Sequence, residues 1–200
     1  MNTRLMRSKS WIIDITLQIS NSEGIEESSE GFGIYYLKQV PRADPKSQNF
    51  VINKPFDGFG LIFDTYVKTP GMPPETNKVY AITNDDTKEN IDPFRDHISE
   101  WAALYKNSQK VDMRLKYDHT INGGLFMLQT KLESENEYTE WMRINEINLS
   151  YEGFLVIYGS NGEPNTDHVN IYSIEAYDPT RTDKTRVSQA ILKFMLWSFY

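Results

Sequence analysis

The chain has 200 residues, and its 21 Lys and Arg against 28 Asp and Glu give a formal net charge of −7. This length fits one domain of ordinary size, and the acidic balance argues against nucleic acid as a partner, which calls for a basic face. The absence of cysteine excludes disulfides, thiol catalysis and metal sites built on thiolates. Aromatic residues make up 13% of the chain, which is enough for a substantial buried core.

The two ends of the chain differ in character. Residues 1–10 are polar and basic with no apolar run behind them, so no signal peptide is visible. Residues 190–200 form an apolar cluster that is shorter than the roughly 20 residues a membrane span needs, but it could be the start of such a span. From Thr182 onward, apolar residues recur at helical spacing, which predicts a helical extension over residues 181–200. Residues 1–180 are expected to form one domain.

Most of the chain reads as strands separated by polar or proline-rich segments, the pattern of an all-β sandwich. In the first strand, apolar side chains recur at every second position from Ile13 to Ile19. Asn122-Gly123-Gly124 predicts a hairpin turn between two alternating segments. The predicted strands cover residues 11–19, 32–37, 60–67, 79–82, 111–117, 125–130, 155–158 and 168–174.

Four segments carry a family resemblance by their order. Glu30-Gly31-Phe32-Gly33-Ile34-Tyr35 follows the first strand, and Gly60-Leu61-Ile62-Phe63-Asp64-Thr65-Tyr66 comes next. The hairpin over residues 111–130 leads to Glu140-Trp141, and residues 153–162 lead to Asp167-His168. Together the segments resemble the L-type (legume-like) lectin domain, in particular the branch of cargo receptors of the early secretory pathway. The resemblance spans roughly residues 9–178 and lacks the usual first strands of the family.

This resemblance implies an antiparallel β-sandwich of the concanavalin or legume-lectin jelly-roll kind, here with a C-terminal helix. It implies a non-enzymatic domain that binds mannose-rich N-glycans on cargo glycoproteins in transport between the endoplasmic reticulum and the Golgi. The expected location is the lumen of these compartments, as part of a membrane protein that could be oligomeric.

The resemblance also implies a sugar site in loops at one end of the sandwich. Glu30 falls where the family has a sugar-binding aspartate, and Gly162 matches a glycine that contacts sugar. Asp64 and the carbonyl of Tyr66 match ligands of a calcium ion, which takes hard oxygen donors. The expected carbohydrate-binding residues are Glu30, Asp64, Lys68, Asp92, Gly162 and Glu163.

Several of these positions depart from the family pattern. Lys68 replaces an asparagine that contacts both metal and sugar, and an ammonium group has no lone pair to offer calcium. Glu163 replaces a second glycine, and Arg95 falls near the place of a metal carboxylate. These departures predict a degenerate calcium site, in which Lys68 folds back onto Asp64 and replaces the cation. No cofactor is expected, and the sequence leaves calcium binding open as the alternative.

Two histidine-containing segments also resemble the family. Tyr117-Asp118-His119 matches a family motif in residue identity but lies inside the predicted hairpin. In register, the loop of that motif falls near residues 92–97, where Asp92, Asp96 and His97 are the candidates. Asp167-His168 resembles an acidic-histidine pair, and a role in stabilising a turn is equally consistent with it.

Two other functions remain open from the sequence. One is a lectin-fold module that has lost sugar binding and contacts proteins, such as subunits of a membrane receptor complex, through the apolar cluster Phe194–Tyr200. The other is a glycoside hydrolase, which needs paired acids on a strand; Glu133, Glu135 and Glu137 alternate in a polar loop instead. Asn148-Leu149-Ser150 is a glycosylation sequon, which matters if the chain enters the secretory pathway.

Overall fold

The computed structural model describes residues 6–21, 30–39, 56–65, 78–88, 91, 93–100, 102–103, 109–149, 152–161 and 167–180. These residues form two antiparallel sheets and one short helix, which confirms the predicted all-β sandwich. The predicted helix over residues 181–200 lies outside the described residues and stays a prediction. No helix in the described part of the chain is long and apolar enough to cross a membrane.

Eleven strands and one helix follow each other along the described chain. They are β1 (Met6–Arg7), β2 (Trp11–Asn21), β3 (Glu30–Leu37), β4 (Asp57–Asp64), β5 (Lys78–Asp85), α1 (Pro93–Asp96), β6 (Ala102–Ala103), β7 (Lys110–Asp118), β8 (Leu125–Leu132), β9 (Thr139–Asn145), β10 (Glu152–Asn161) and β11 (Asp167–Tyr177). One sheet has the order β1-β10-β3-β4-β5-β6, and the other has the order β11-β2-β7-β8-β9. The strand β1 lies upstream of residue 9, where the sequence resemblance begins.

The main core fills the space between the two sheets. The alternating row predicted from Ile13 to Ile19 faces this core, and its side chains are at most 2% exposed. Trp11 of β2 stacks on Tyr36 of β3 at 5.1 Å between ring centroids, and Phe59 of β4 lies 4.5 Å from Phe126 of β8. Each fully buried side chain of this size contributes about 1.5–3 kcal/mol of burial free energy. The aromatic contacts therefore fix which ends of the two sheets face each other.

A second apolar cluster covers the outer face of the six-stranded sheet. Tyr35, Ile62 and Tyr80 are its fully buried centre. The Tyr35 ring lies across Gly33 and Gly60, where an added Cβ would come within 2.3 Å and 2.6 Å of it. The central strands of this sheet are thus buried on both faces, which explains why residues 60–64 read as an apolar run and not as an alternation.

The predicted hairpin turn is confirmed between β7 and β8. Gly123 and Gly124 have φ values of 71° and 92°, in the left-handed region that glycine adopts at little cost. At Gly124 an added Cβ would also lie 2.0 Å from the carbonyl oxygen of Ile147. The strand β9, which follows this hairpin, was not predicted, because only Met142 and Ile144 of its residues are buried.

The outer face of the five-stranded sheet carries a polar network. Arg114 donates two hydrogen bonds to the Asp14 carboxylate, at 2.7 and 2.9 Å, and the Tyr177 hydroxyl donates a third at 3.2 Å. The Arg114 guanidinium also lies 4.4 Å from the centroid of the Tyr138 ring. The hydrogen bond with Asp14 raises the pKa of Arg114. This face is consequently held by charge-assisted contacts and not by a second apolar layer.

Candidate functional site

One end of the six-stranded sheet gathers several of the predicted site residues. Strand register pairs Glu30 with Asn161, places Gly31 opposite Asp64, and places Asp64 opposite Lys78. We call this the Asp64 end. The opposite end, where β4 begins at Asp57, is called the Asp57 end. It lies seven residues away along β4, or about 23 Å at the usual rise of a strand.

The position of Asp64 is fixed by its chain neighbours. Phe63 and Thr65 on either side are 0% and 1% exposed, whereas Asp64 itself is half-buried. Gly31 allows β3 and β4 to approach here, because an added Cβ would lie 2.1 Å from the carbonyl oxygen of Phe63. The backbone of Asp64 is therefore held at a defined place on the rim of the sheet.

A lysine that the sequence analysis did not single out shares this rim. Lys78, the first residue of β5, is the direct cross-strand neighbour of Asp64. Such neighbours have their side chains on the same face, with Cβ atoms about 5 Å apart. Sequence alone could not reveal this pairing, since thirteen residues separate Asp64 from β5 along the chain and leave the register open.

Most other predicted site residues lie outside the described residues. These are Tyr66, Lys68, Asp92, Gly162 and Glu163. Two of the segments involved begin at the Asp64 end, because Tyr66 comes one residue after Thr65 and Gly162 follows Asn161. Asp167 and His168 pair with Asn21 and Ser20 of β2, at the end of that strand away from Trp11.

The described neighbours of Asp92 lie towards the Asp57 end. His97 bridges to Ile82, four residues from Lys78 and hence about 13 Å along β5. The Asp96 carboxylate accepts a hydrogen bond of 2.7 Å from the Nζ of Lys88, which follows the end of β5. The structure thus does not bring Asp96 and His97 together with Asp64, and the role predicted for Asp92 stays a prediction.

Tyr117-Asp118-His119 forms part of the hairpin at the Asp57 end. The buried Tyr117 hydroxyl accepts a hydrogen bond from the Leu149 amide at 3.1 Å. Asp118 accepts hydrogen bonds from the hydroxyl and the amide of Thr120, at 2.7 and 3.0 Å. The hydroxyl bond is the main cause that lowers the pKa of Asp118. These contacts support the interpretation of this segment as structural.

The strand order and the geometry of this sandwich agree with a comparison of the sequence to known families. The model of the legume-like lectin family matches residues 1–186. The chain belongs to the legume-like lectin family. A search of curated protein sequences finds no match.

Solved structures of legume-like lectin domains share this fold. The metal-free exoplasmic/lumenal domain of VIP36 has a TM-score of 0.72 at 15% identity, with 91% of this chain and 74% of that chain covered. The carbohydrate-recognition domain of Emp47p has a TM-score of 0.56 at 17% identity, covering 84% and 72%. The legume lectin-like domain from Entamoeba histolytica has a TM-score of 0.58 at 14% identity, also covering 84% and 72%. At these identities the likeness establishes the fold.

The degenerate calcium site predicted for this legume-like lectin domain stays a prediction, because Tyr66, Lys68 and Asp92 lie outside the described residues. Calcium takes six to eight oxygen ligands, and no three acidic or histidine side chains among the described residues come close enough to hold a metal. At the Asp64 end, the cross-strand neighbour of the one described calcium candidate is the cation Lys78.

The lectin domain also has a cleft of about 560 Å³ at the Asp57 end. Tyr36 and Asn84 line it from the six-stranded sheet, and residues 144–149 line it from the segment that ends β9. Lys38 and Asp57 form an ion pair of 2.8 Å on its wall. The cleft and the Asp64 end are therefore separate features at opposite ends of the sandwich.

Proposed function

We propose that this chain is a carbohydrate-recognition domain that binds mannose-rich N-glycans on glycoproteins in the lumen of the endoplasmic reticulum and Golgi. The observation that carries the proposal is the placement of Glu30, Asp64 and Asn161 at one end of the sheet, in a chain of the legume-like lectin family. Support comes from VIP36, whose domain of the same fold has been crystallised with calcium and mannose. The proposed role is binding and transport of cargo as part of a membrane receptor, not catalysis.

The chemistry of these residues suits a sugar with neighbouring hydroxyl groups. A carboxylate offers two acceptor oxygens, and an asparagine amide offers both donors and an acceptor. Hydrogen bonds from hydroxyls to an ionised carboxylate are stronger than those between neutral groups. Gly162, which follows Asn161, would allow a sugar ring to approach the backbone closely. In this proposal Glu30 and Asp64 accept hydrogen bonds from the sugar, and Gly162 and Glu163 contribute to the same site.

The positive charge at this end would come from lysine in place of a metal ion. Lys78 is placed opposite Asp64 by the strand register, and Lys68 follows four residues after Asp64. An ammonium group can neutralise a carboxylate and donate a hydrogen bond to a sugar oxygen. It has no lone pair, so it can neither accept a hydrogen bond from a sugar hydroxyl nor bind calcium. We therefore propose glycan binding that does not depend on calcium.

A second candidate function is a protein-interaction module that has lost sugar binding. The observation that favours it is the cross-strand pairing of Asp64 with Lys78. A carboxylate that interacts with this lysine is less available to sugar hydroxyls. Its partners would be other subunits of a membrane receptor complex.

Thermal unfolding tests the two candidates directly. The protein is heated with and without calcium, and with and without a mannose-rich N-glycan, because a ligand that binds only the folded state raises the midpoint. A glycan at ten times its Kd adds about 1.4 kcal/mol, which raises Tm by roughly 3–6 °C for a domain of this size. A glycan shift without calcium supports the proposal, and a shift that requires calcium rejects its metal-free part. No shift with either ligand rejects sugar binding and favours the protein-interaction module.

Two variants locate the site in the same assay. Asp64→Asn should remove the glycan shift, whereas the control Asp57→Asn changes the same residue type at the other end of β4 and should keep it. Lys68→Asn restores the residue type of the family pattern and should gain calcium affinity. If Lys68→Asn gains none, the idea that this lysine replaces the metal fails.

A further inference from the structure

Asn148 is an exposed residue between two anchored ones. It lies in the segment that leaves β9 and runs along the cleft at the Asp57 end. The flanking Ile147 and Leu149 are 5% and 7% exposed. Their amides donate to the Gly124 carbonyl oxygen at 3.2 Å and to the Tyr117 hydroxyl at 3.1 Å. The backbone is thus held on both sides while the Asn148 side chain is exposed to solvent.

Asn148 is also the first residue of Asn148-Leu149-Ser150, the only Asn-X-Ser/Thr sequence of the chain in which X is not proline. A glycan on this side chain would extend into solvent and would displace no core residue. Burial of the asparagine would have made the folded domain incompatible with a glycan. The exposure of Asn148 therefore agrees with the chemistry of an acceptor site.

We propose that Asn148 carries an N-linked glycan. This inference rests on the proposed function, since the modification requires that the chain reach the lumen of the endoplasmic reticulum. The modification forms an N-glycosidic bond between the Asn148 Nδ2 atom and C1 of the first N-acetylglucosamine of an oligosaccharide. A lipid-linked oligosaccharide diphosphate is the donor: its C1–O bond to phosphate breaks, the lipid diphosphate leaves with that electron pair, and the amide nitrogen loses one proton.

The position of Asn148 keeps this glycan away from the candidate sugar site. Tyr117, which anchors Leu149, lies opposite Trp11 in the register of β2 and β7, and Trp11 stacks on Tyr36 near the Asp57 end. Asp64 lies at the other end of the same sheet, about 23 Å away from Asp57 along the strand. The glycan should therefore leave glycan binding by the domain unchanged, and it should cover the cleft.

The experiment uses the full-length natural protein in its own cells, followed by digestion with peptide N-glycosidase F and mapping of the Asn148 peptide by mass spectrometry. We expect one enzyme-sensitive glycan, with conversion of Asn148 to aspartate on release. Asn148→Gln and Ser150→Ala should each abolish the glycan, and Ser150→Thr should keep it.

A reporter variant separates failure of this inference from failure of the lumenal location. Glu137 is exposed in the loop between β8 and β9, and Glu137→Asn completes a sequon with Tyr138 and Thr139. A glycan at this position without one at Asn148 would overturn the inference and leave the lumenal location intact. No glycan at either position would overturn both. If Asn148 is glycosylated but a mannose-rich glycan does not raise the unfolding midpoint, the proposed modification is supported and only the proposed sugar binding is rejected.

Discussion

Lys78 lies directly opposite Asp64 in the antiparallel pair of β4 and β5. Opposite charges at such positions stabilise a sheet by about 0.2–1 kcal/mol, and salt weakens the contact where it is exposed. We predict that Lys78→Met and Asp64→Asn are coupled by an energy of this size in a double-mutant cycle. Urea unfolding at low salt measures the coupling, and 1 M salt should reduce it. A coupling of zero at low salt would show that the two side chains do not interact.

Gly31 permits the close approach of β3 to β4 beside Asp64. In Gly31→Ala the new Cβ would lie 2.1 Å from the Phe63 carbonyl oxygen, which belongs to the backbone and cannot rotate away. We therefore expect a loss of about 1–3 kcal/mol in the free energy of unfolding, as for overpacked sites, together with weaker glycan binding. Gly159→Ala is the matched control, because its nearest contact would be 3.4 Å from Phe32 Cβ. Equal stability of the two variants would contradict the prediction.

The Tyr117 hydroxyl anchors the segment that carries Asn148. Tyr117→Phe leaves the buried Leu149 amide without its acceptor, and an unsatisfied buried amide costs about 1–3 kcal/mol. Chemical unfolding should show a loss in this range. Tyr172→Phe removes a hydroxyl that donates to Gln18 from a side chain that is 51% exposed, so it should cost less than about 0.5 kcal/mol. The prediction fails if Tyr172→Phe is the more damaging change.

Asp118 should make the free energy of unfolding of the domain depend on pH in the acid range. Its pKa in the folded protein is lowered from the ordinary value of 3.8, chiefly by the hydrogen bond from the Thr120 hydroxyl. A lowered folded-state pKa contributes stability that is fully present above the unfolded pKa and is lost as pH falls through the folded pKa. Urea unfolding between pH 6 and about pH 2 should therefore show a shallower loss below pH 3.8 in Asp118→Asn than in the wild type.

The control for that experiment is Glu133→Gln, which removes one exposed carboxylate from the loop after β8. It has the same effect on net charge as Asp118→Asn. If both variants change the loss of unfolding free energy at acid pH by the same amount, general charge repulsion and not the hydrogen bond with Thr120 causes the effect.

Local patterns in the sequence were enough to predict most strands, because burial on one face leaves an alternation. The row from Ile13 to Ile19 and the turn at Gly123-Gly124 are confirmed by burial and by positive φ. The strand β9 was missed, since a register shift opposite Leu128 and Gln129 interrupts its pairing and only two of its side chains are buried.

The candidate site depends on pairing between distant strands, which local patterns do not contain. Glu30 and Asp64 were named from a family resemblance, and the register now places them at one end of the sheet. The neighbour Lys78 could not be inferred, because β4–β5 is not joined by a short turn of defined register. Asp96 and His97 were named by counting along the chain, whereas the bridge from His97 to Ile82 places them towards the other end.

The pairing of strands far apart in the chain constrains how this protein can fold while it is being synthesised. β2 pairs with β7 and with β11, so its backbone has no strand partner until residues 110–118 have emerged. β3 can pair with β4 at once but gains its second neighbour only with β10. At 5–20 residues per second, β11 follows β2 by roughly 7–30 s. Throughout that interval the nascent chain exposes the side chains that later fill the core. Asn148 also emerges before β10 and β11, so a modifying enzyme at the translocation pore would meet it in an unfolded chain.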